Sequence, residues 1–481
     1  MAFRAARAAV VARGLGGTDG FVRAASAALW FARSASSSSL QPAPPSLLGM
    51  GEEALTRLAR DMGQPAYRGK QIHDAIYAMR KSSVDDIKQL PESFREQLVS
   101  AGLEVGRRAP TKVVSSPDGT RKVLIELHCG SVIEAVGIPQ ESPEARDAQS
   151  EAEGMPLYED GDELESDETA SASDDDESRL EDIEGDDGWT RLGSELGARE
   201  REKSGRGRSK REPRNREAFA SSVSRVRRSR FTVCVSSQVG CAMRCSFCAT
   251  GKRGFKRNLS AAEMVNQVLA LEDVFGRRCT NVVMMGMGEP LMNLKQVLIA
   301  HRTLNEDLGI GGRRFTISTV GVPNALSKLA AHALQATLAV SLHAPDQALR
   351  EKLVPSASAY PIEALLEDCR LYKNSTGRRV TFEYTLLAGE NDAPAQARAL
   401  AKTLRSRVGR GCHVNLLPWN PVAGAEHLRP SNAAVRRFSD ALGAERGITH
   451  TVRRTRGLEA DAACGQLTGN FRRATSARRA A

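Results

Sequence analysis

Three cysteines, Cys241, Cys245 and Cys248, stand in the run GCAMRCSFCAT at the spacing C-x-x-x-C-x-x-C. Thiolates this close can hold three irons of a four-iron, four-sulfur cluster and leave the fourth iron without a protein ligand. An open coordination position is where a metal centre does chemistry, by the logic that separates catalytic from structural zinc sites. Cys234, seven residues upstream of Cys241, is the one thiol near enough in sequence to close such a site. A structural zinc site is the alternative, but it would prefer two paired C-x-x-C clusters and only one set exists here.

Gly286-Met287-Gly288-Glu289 forms a second constellation, after an apolar strand-like run. Glycines there let backbone approach a small ligand, and the Glu289 carboxylate can accept an ammonium proton. Short glycine turns after strands are common, so the motif alone says little. Beside an open iron it fits a ligand whose amino-acid group chelates the metal while Glu289 holds the amine. S-adenosylmethionine is such a ligand.

From Phe231 onward the pattern alternates regularly. Strands are predicted at 231–235, 281–285, 314–318, 336–341, 380–387 and 412–417, with helices at 261–275, 294–308, 322–333, 362–374 and 393–407. Six strands alternating with helices imply a parallel sheet curled into a barrel or partial barrel. The cysteine triplet, the glycine motif, Ser318-Thr319, His343 and the run from Asn415 to Asn420 all fall just after strands. That is the face on which barrel loops build active sites.

Upstream, residues 47–103 carry apolar positions at helical spacing. Leu55, Leu58 and Ala59 mark one face and Ile72, Ile76 and Tyr77 another. Ser83 ahead of Asp85 and Asp86 predicts a helix cap, and Pro91 predicts a helix start. Strand-like runs follow at 112–114, 122–127 and 131–138, with Pro117-Asp118-Gly119 as the turn between the first two.

The chain has 481 residues, room for two or three domains. Its net charge of +10 hides an asymmetry, because 141–187 is almost wholly acidic or small and polar. The rest is therefore strongly basic, which favours a polyanionic partner; a solvated Lys/Arg surface is the plainer account. Residues 139–226, acidic first and basic over 199–216, cannot bury enough apolar surface to fold alone and are expected to be a disordered insertion. Nine irregularly spaced cysteines suit a reducing compartment better than a secreted disulfide framework. No stretch approaches the ~20 apolar residues of a membrane span. The first 46 residues, with Arg4, Arg7 and Arg13 and no acid before Asp19, read as an organellar transit peptide, with the plastid favoured over the mitochondrion.

The run CVSSQVGCAMRCSFCATGKRGFKRNL, with MMGMGEPL, STVG, VSLHA, NLLPWNP and DAACGQL, closely resembles the RlmN/Cfr family of radical S-adenosylmethionine adenosine methyltransferases. The resemblance covers roughly 47–138 and 227–470, with every motif in the expected order. It implies an α/β fold, a partial (β/α)6 radical-SAM barrel over 227–457, after a helical RNA-binding accessory domain at 47–104 and a strand-rich connection at 105–138. Residues 458–481 would form a C-terminal segment with a basic tail. By the same resemblance Cys241, Cys245 and Cys248 hold a 4Fe–4S cluster, while Gly288, Glu289, Ser318, Ser341, Leu342, His343 and Asn420 bind S-adenosylmethionine. Cys464, in DAACGQL, would become an S-methylcysteine, Cys234 would resolve it through a disulfide, and Glu134 would accept a proton.

Carbon 2 of adenine is electron-poor and does not attack a sulfonium methyl, so a radical route through a methyl-carrying cysteine is what the family implies. The implied substrates are an adenosine of 23S-type large-subunit rRNA and, as a second candidate, one in tRNA. A flavodoxin or ferredoxin is the expected electron donor, and a monomer without membrane attachment the expected state. Lys252-Arg253, Lys256-Arg257, Arg436-Arg437 and Arg453-Arg454 are candidate phosphate contacts. The rivals are methylation at carbon 8, another radical enzyme such as an activator of a protein radical, and an RNA-binding protein with a structural cluster.

Overall fold

The computed structural model describes residues 45–140 and 230–469. The expectations for the transit peptide, for 141–229 and for 470–481 lie outside those residues. Among the described residues three helices come first: α1 (Glu52–Asp61), α2 (Tyr67–His73), which runs on through a π turn over Asp74–Ala78, and α3 (Glu92–Ser100). Their predicted faces are buried, with Leu55, Ala59, Ile72, Ile76 and Tyr77 inside the same apolar core as the sheet; Leu58 is only partly buried. Tyr77 anchors the chain entering α1, donating to Met50 O at 3.0 Å and accepting from Gly49 N at 2.8 Å. No helix begins at Ser83. Its Oγ accepts Asp86 N–H at 3.2 Å, but the chain runs on in turns until Pro91, which is the N-cap of α3. A proline so close downstream leaves no room for a helix to elongate.

Ten strands form one sheet in the order β1-β2-β3-β4-β7-β8-β9-β10-β11-β12. Strands β1 (Lys112–Ser115), β2 (Arg121–Glu126) and β3 (Val132–Pro139) pair antiparallel with one another, and β3 pairs antiparallel with β4 (Phe231–Cys234). From β4 the sheet is parallel through β7 (Asn281–Met284), β8 (Phe315–Thr319), β9 (Thr337–Ser341), β10 (Val380–Leu386), β11 (Cys412–Pro418) and β12 (Ile448–Val452). All six expected parallel strands are present. The seventh, β12, is not among the predicted strands: in ITHTV only the end residues Ile448 and Val452 are buried, and the polar centre conceals the period. A separate hairpin of β5 (Gln238–Gly240) and β6 (Phe255–Asn258) carries the cysteine triplet between its strands.

Helices α4 (Ala261–Phe275), α5 (Leu294–Arg302), α6 (Ala325–Ala330), α7 (Gln347–Leu353), α8 (Ile362–Thr376), α9 (Pro394–Arg407) and α10 (Asn432–Gly443) connect the strands. Helix α4 stands where predicted because Ser260 and Glu263 make a capping box at its start and Gly276, at φ 63°, ends it. The sheet's outer face packs on these helices through residues such as Phe315, Leu338, Phe382, Tyr384 and Val414. Phe382 and Tyr384 are fully buried. Truncating a buried phenylalanine to alanine costs about 3–5 kcal/mol, a large share of a typical net stability of about 5–15 kcal/mol. The outer face carries the fold and leaves the inner face free to be polar.

The β3–β4 pairing places Pro139 opposite Phe231 and joins Gln140 N–H to Arg230 O at 2.9 Å. Pro139 thus belongs to a strand rather than to the insertion, which springs from the end of a hairpin already closed by its own ladder. Replacing 141–229 with an Asn-Gly turn should leave the thermal midpoint within about 2 °C of the parent, because hairpin closure is preserved. A larger fall in a melting curve would show that the insertion contributes to the fold.

Candidate active site

Strand alternation sorts the parallel sheet into two faces. With Phe231, Val233, Ile317, Val340, Phe382 and Val414 in the outer core, the intervening residues Cys234, Ser318, Ser341, Glu383 and Asn415 face the hollow inside the curved sheet. Ser341, Glu383 and Asn415 occupy one row across neighbouring strands. Asn415 Nδ2 donates to Glu383 Oε1 at 2.8 Å, and the hydroxyls of Ser318 and Ser341 lie 3.5 Å apart. Burial raises the Glu383 carboxyl above its usual range. No motif singles out this glutamate, because it falls on the polar phase of an alternating strand, where an acid is ordinarily taken as solvent-facing.

The triplet sits on a tight loop. Cys241 N–H donates to Gly254 O at 3.0 Å and Cys248 N–H to Cys245 O at 3.2 Å. A Cβ on Gly240, at φ 75°, would lie 1.9 Å from Gly254 O, so only glycine lets the loop close. Phe247, Trp419 and Leu353 pack with the loop in a small apolar cluster of its own, and Trp419 Nε1 donates to Phe247 O at 2.9 Å. Cys241 and Cys245 are 9% and 8% exposed. Burial, aided by the neighbouring Cys248, pushes Cys241 up to about 12 and Cys245 well above a normal thiol. A cationic centre would remove that penalty on both thiolates together. The described residues contain no group of three His, Cys, Asp or Glu converging on a single metal ion. An open iron–sulfur cluster asks for no such convergence, since each cysteine binds a different iron. The donor set fits a 4Fe–4S cluster.

Glu289 is 2% exposed. Its Oε1 accepts Leu291 N–H at 3.0 Å and its Oε2 accepts Val320 N–H at 2.8 Å, while its own N–H donates to Gln238 Oε1 at 2.9 Å. Burial still raises it to about 7. Gly288 has φ 104°, and a Cβ there would come within 2.6 Å of the Gln238 side chain. The glycine is thus required for the loop to pack on the cysteine hairpin. Leu342 is fully buried; His343 adopts φ 61° and accepts Thr385 N–H on Nδ1 at 3.0 Å. Burial lowers this imidazole to about 3, so it is neutral.

Among the described residues the sheet is not closed by strand pairing: β1 and β12 are its two edges. The segment after β12 bridges them. Arg456 Nε donates to Asp118 Oδ2 at 3.1 Å, and Gly457 N–H donates to the same oxygen at 2.7 Å. Ser116 Oγ donates to Glu459 at 2.7 Å and Lys122 Nζ to Asp461 O at 2.8 Å. The strap then crosses the cysteine loop, where Ala249 N–H donates to Gly465 O at 2.8 Å and Thr250 Oγ1 to Leu467 O at 2.6 Å. Asn420 Nδ2 donates to Cys464 O at 3.1 Å.

Cys464 rides on this strap and feels the charges of Cys234, Cys248 and Glu383. It is solvent-accessible, yet desolvation by the surrounding protein pushes both Cys464 and Cys234 up to about 12. Residues 230 positions apart in sequence are thereby brought to one place. The disulfide expected between them is not formed; all nine cysteines are free, and burial keeps both thiols protonated. Glu134, 1% exposed, lies under the strap. Its Oε2 accepts Thr468 N–H at 3.1 Å and stands 3.7 Å from Lys122 Nζ. Burial outweighs these contacts and raises its carboxyl. Lys122 carries no sequence signal.

A cleft of about 670 Å³ opens outside the loop, lined by Cys245, Arg244, Lys252, Arg253 and His427 among others. Lys256, Arg436, Arg437 and Arg453 are exposed, but Arg257 is not a phosphate contact. It is buried, bonded to both Glu263 oxygens at 2.9 and 2.6 Å, and donates to Cys129 Sγ at 3.3 Å.

Residues 235–400 match the radical SAM superfamily. The chain is 42% identical over 432 residues to a probable dual-specificity RNA methyltransferase RlmN of Synechococcus sp. (strain JA-2-3B'a(2-13)), covering 89% of this chain and 97% of that one. It is 41% identical over 421 residues to the protein of the same description from Thermosynechococcus vestitus, covering 88% and 97%. Among solved structures, a radical SAM methyltransferase from Sphaerobacter thermophilus superposes with a TM-score of 0.66 at 35% identity, covering 89% of this chain and all of that one.

The Asp118 strap contact makes a pH prediction. Burial opposes charge on Asp118, but the Gly457 and Thr120 N–H groups and Arg456 overcome it and hold the carboxyl below its usual 3.8. A depressed folded value means the contact stabilises above the unfolded pKa and fades as pH falls through the folded one. Between about pH 5 and about pH 3 the native chain should lose more stability than Asp118→Asn in urea titrations. Equal losses would remove Asp118 from the account of the strap.

Proposed function

This chain belongs to the RlmN family of radical SAM RNA methyltransferases, and on that premise we propose that it methylates carbon 2 of an adenosine in large-subunit rRNA, with a tRNA adenosine as a second substrate. The observation that carries the proposal is that Cys464, on the strap, lies near enough to Cys234 to feel its charge, with Glu134 bonded to the same strap at Thr468. An enzyme without a methyl-carrying cysteine has no use for the Cys464 and Cys234 pair. When bound, a 4Fe–4S cluster with S-adenosylmethionine supplies an electrophilic methyl group and a hydrogen-abstracting carbon radical.

The protein's own residues then act in order. Cys464 loses its proton and takes the methyl on sulfur. After loss of one methyl hydrogen atom, Cys464 presents a carbon radical that adds to carbon 2 of the base, and the adduct would pass one electron to the oxidised cluster held by Cys241, Cys245 and Cys248. Glu134, whose raised pKa suits a proton acceptor, takes the ring proton. Cys234 attacks the Cys464 sulfur as a thiolate; a transient disulfide forms, the sulfur–carbon bond breaks, and the released carbon gains a proton to become the methyl. Glu289 holds the ammonium of S-adenosylmethionine, within a pocket of Gly288, Ser318, Ser341, Leu342, His343 and Asn420.

The target base must leave its stack to reach Cys464. The basic cleft and the helical domain are the proposed RNA contacts. A flavodoxin or ferredoxin supplies electrons to the monomeric enzyme. Plastid delivery is the proposed destination, supported by the Arg-rich, acid-poor first 46 residues and by the cyanobacterial sources of the relatives.

Anaerobic incubation of reconstituted protein with rRNA, reductant and S-adenosylmethionine should yield 2-methyladenosine by mass spectrometry of nucleosides. Finding 8-methyladenosine would move the activity to the other carbon, and finding neither, with cluster and RNA intact, would sink the proposal. Cys464→Ala should abolish methylation while retaining iron, whereas Cys234→Ala should accumulate protein covalently joined to RNA on denaturing gels. Charge-assisted hydrogen bonds contribute about 1.5–3 kcal/mol, so Glu289→Gln should weaken S-adenosylmethionine binding by about tenfold or more. An unchanged Kd in equilibrium dialysis would release Glu289 from that role.

A further inference from the structure

Arg350, on α7, heads the fully buried side chains of the described residues in size and is 1% exposed. Its Nη2 donates to Val320 O at 2.6 Å and its Nη1 reaches Tyr360 O at 3.4 Å; Nε has no partner. The groups whose negative charge it feels are Cys245, Cys369 and Tyr360, none of them a carboxylate. Burial lowers the guanidinium to about 10, so it remains charged at neutral pH. A buried charge without its counter-ion costs several kcal/mol. Two carbonyl acceptors do not explain that cost, since a neutral amide donor would serve them.

The surroundings supply a reason. Arg350 O accepts Val354 N–H at 2.7 Å as α7 ends, and Leu353 O takes the Ser246 N–H at 3.0 Å and the Ser246 hydroxyl at 3.3 Å. The helix end that carries Arg350 thus grips the residue next to Cys245. Val320, held by Arg350 through its carbonyl, is held by Glu289 through its N–H at 2.8 Å.

We propose that Arg350 is a positioning residue that gives the iron–sulfur cluster a fixed buried counter-charge and thereby raises its reduction potential; this rests on the assignment of the cluster to Cys241, Cys245 and Cys248. Three thiolates outweigh the positive charge of the oxidised core, so the liganded cluster is net negative. Each added electron makes it more so. A cation held in low dielectric stabilises the reduced state more than the oxidised one, and more strongly than it would in water.

The test is an anaerobic redox titration of the reconstituted full-length protein, following the reduced cluster by electron paramagnetic resonance, with iron content measured in parallel. Arg350→Gln keeps a donor for the carbonyls but removes the charge; Arg350→Lys keeps the charge. The Gln variant should hold iron as the parent does, yet show at least a tenfold lower reduced-to-oxidised ratio at fixed poise, a shift of about 59 mV to lower potential. The Lys variant should titrate close to the parent. A Gln variant at the parent potential, or loss of iron from both variants, would overturn the counter-charge role. A parent protein that binds no iron would instead overturn the cluster assignment itself.

Discussion

The contact of Asp118 with Arg456 and Gly457 is the constraint on which the rest of the molecule depends. A curved sheet with two unpaired edges needs something other than strand pairing to close its hollow. Here a turn between the first two strands accepts a guanidinium and a backbone N–H from the segment that follows the last strand. Once fixed there, the segment has one path, over Glu134 and across the cysteine loop. Closure of the barrel and delivery of Cys464 are therefore the same event.

The sheet divides its labour by face. Its outer residues are aromatic and branched aliphatic and supply the stability, while its inner residues are hydroxyls, amides, a thiol and a carboxylate. Such an interior is electrostatically unfinished. Cys241, Cys245 and Cys464 resist ionisation, Glu289 rests near 7, and Arg350 holds a charge that no carboxylate answers. Each penalty has the sign that a cationic ligand with an ammonium group, or a net-negative cluster beside Arg350, would relieve. The protein meets its ligands with charges and donors already in place, so little reorganisation is needed when they bind.

Local signals are legible where one residue type has one physical use. The Ser260–Glu263 capping box and Gly276 bound α4, and the alternation in VTFEYTL marks β10. They fail where tertiary contacts override them. The helix expected over 322–333 starts only at Ala325, because Asn324 takes a left-handed conformation, and Arg257, one of a tidy basic pair, is buried on Glu263. Helix α7 and strand β12 leave no clear pattern because their buried residues are too few to set a period, whereas α10 buries Ala434, Val435, Phe438, Ser439 and Leu442 at helical spacing, a signal that was there to be read.

The spacing of Cys241, Cys245 and Cys248 points by itself to a metal centre and favours an open cluster over a structural zinc, since a loop of eight residues can present three thiols with little help from the remainder. The glycines beside Glu289 gain meaning only next to that triplet, since short glycine turns after strands are common. What no spacing contains is that Cys464 lies near Cys234, that Glu134 bonds to the strap at Thr468, that Lys122 sits against Glu134, or that Arg350 stands behind Cys245. Those facts depend on contacts between distant segments, which leave no periodic trace in the chain. They become fixed only when the sheet curves and the strap draws its two edges together.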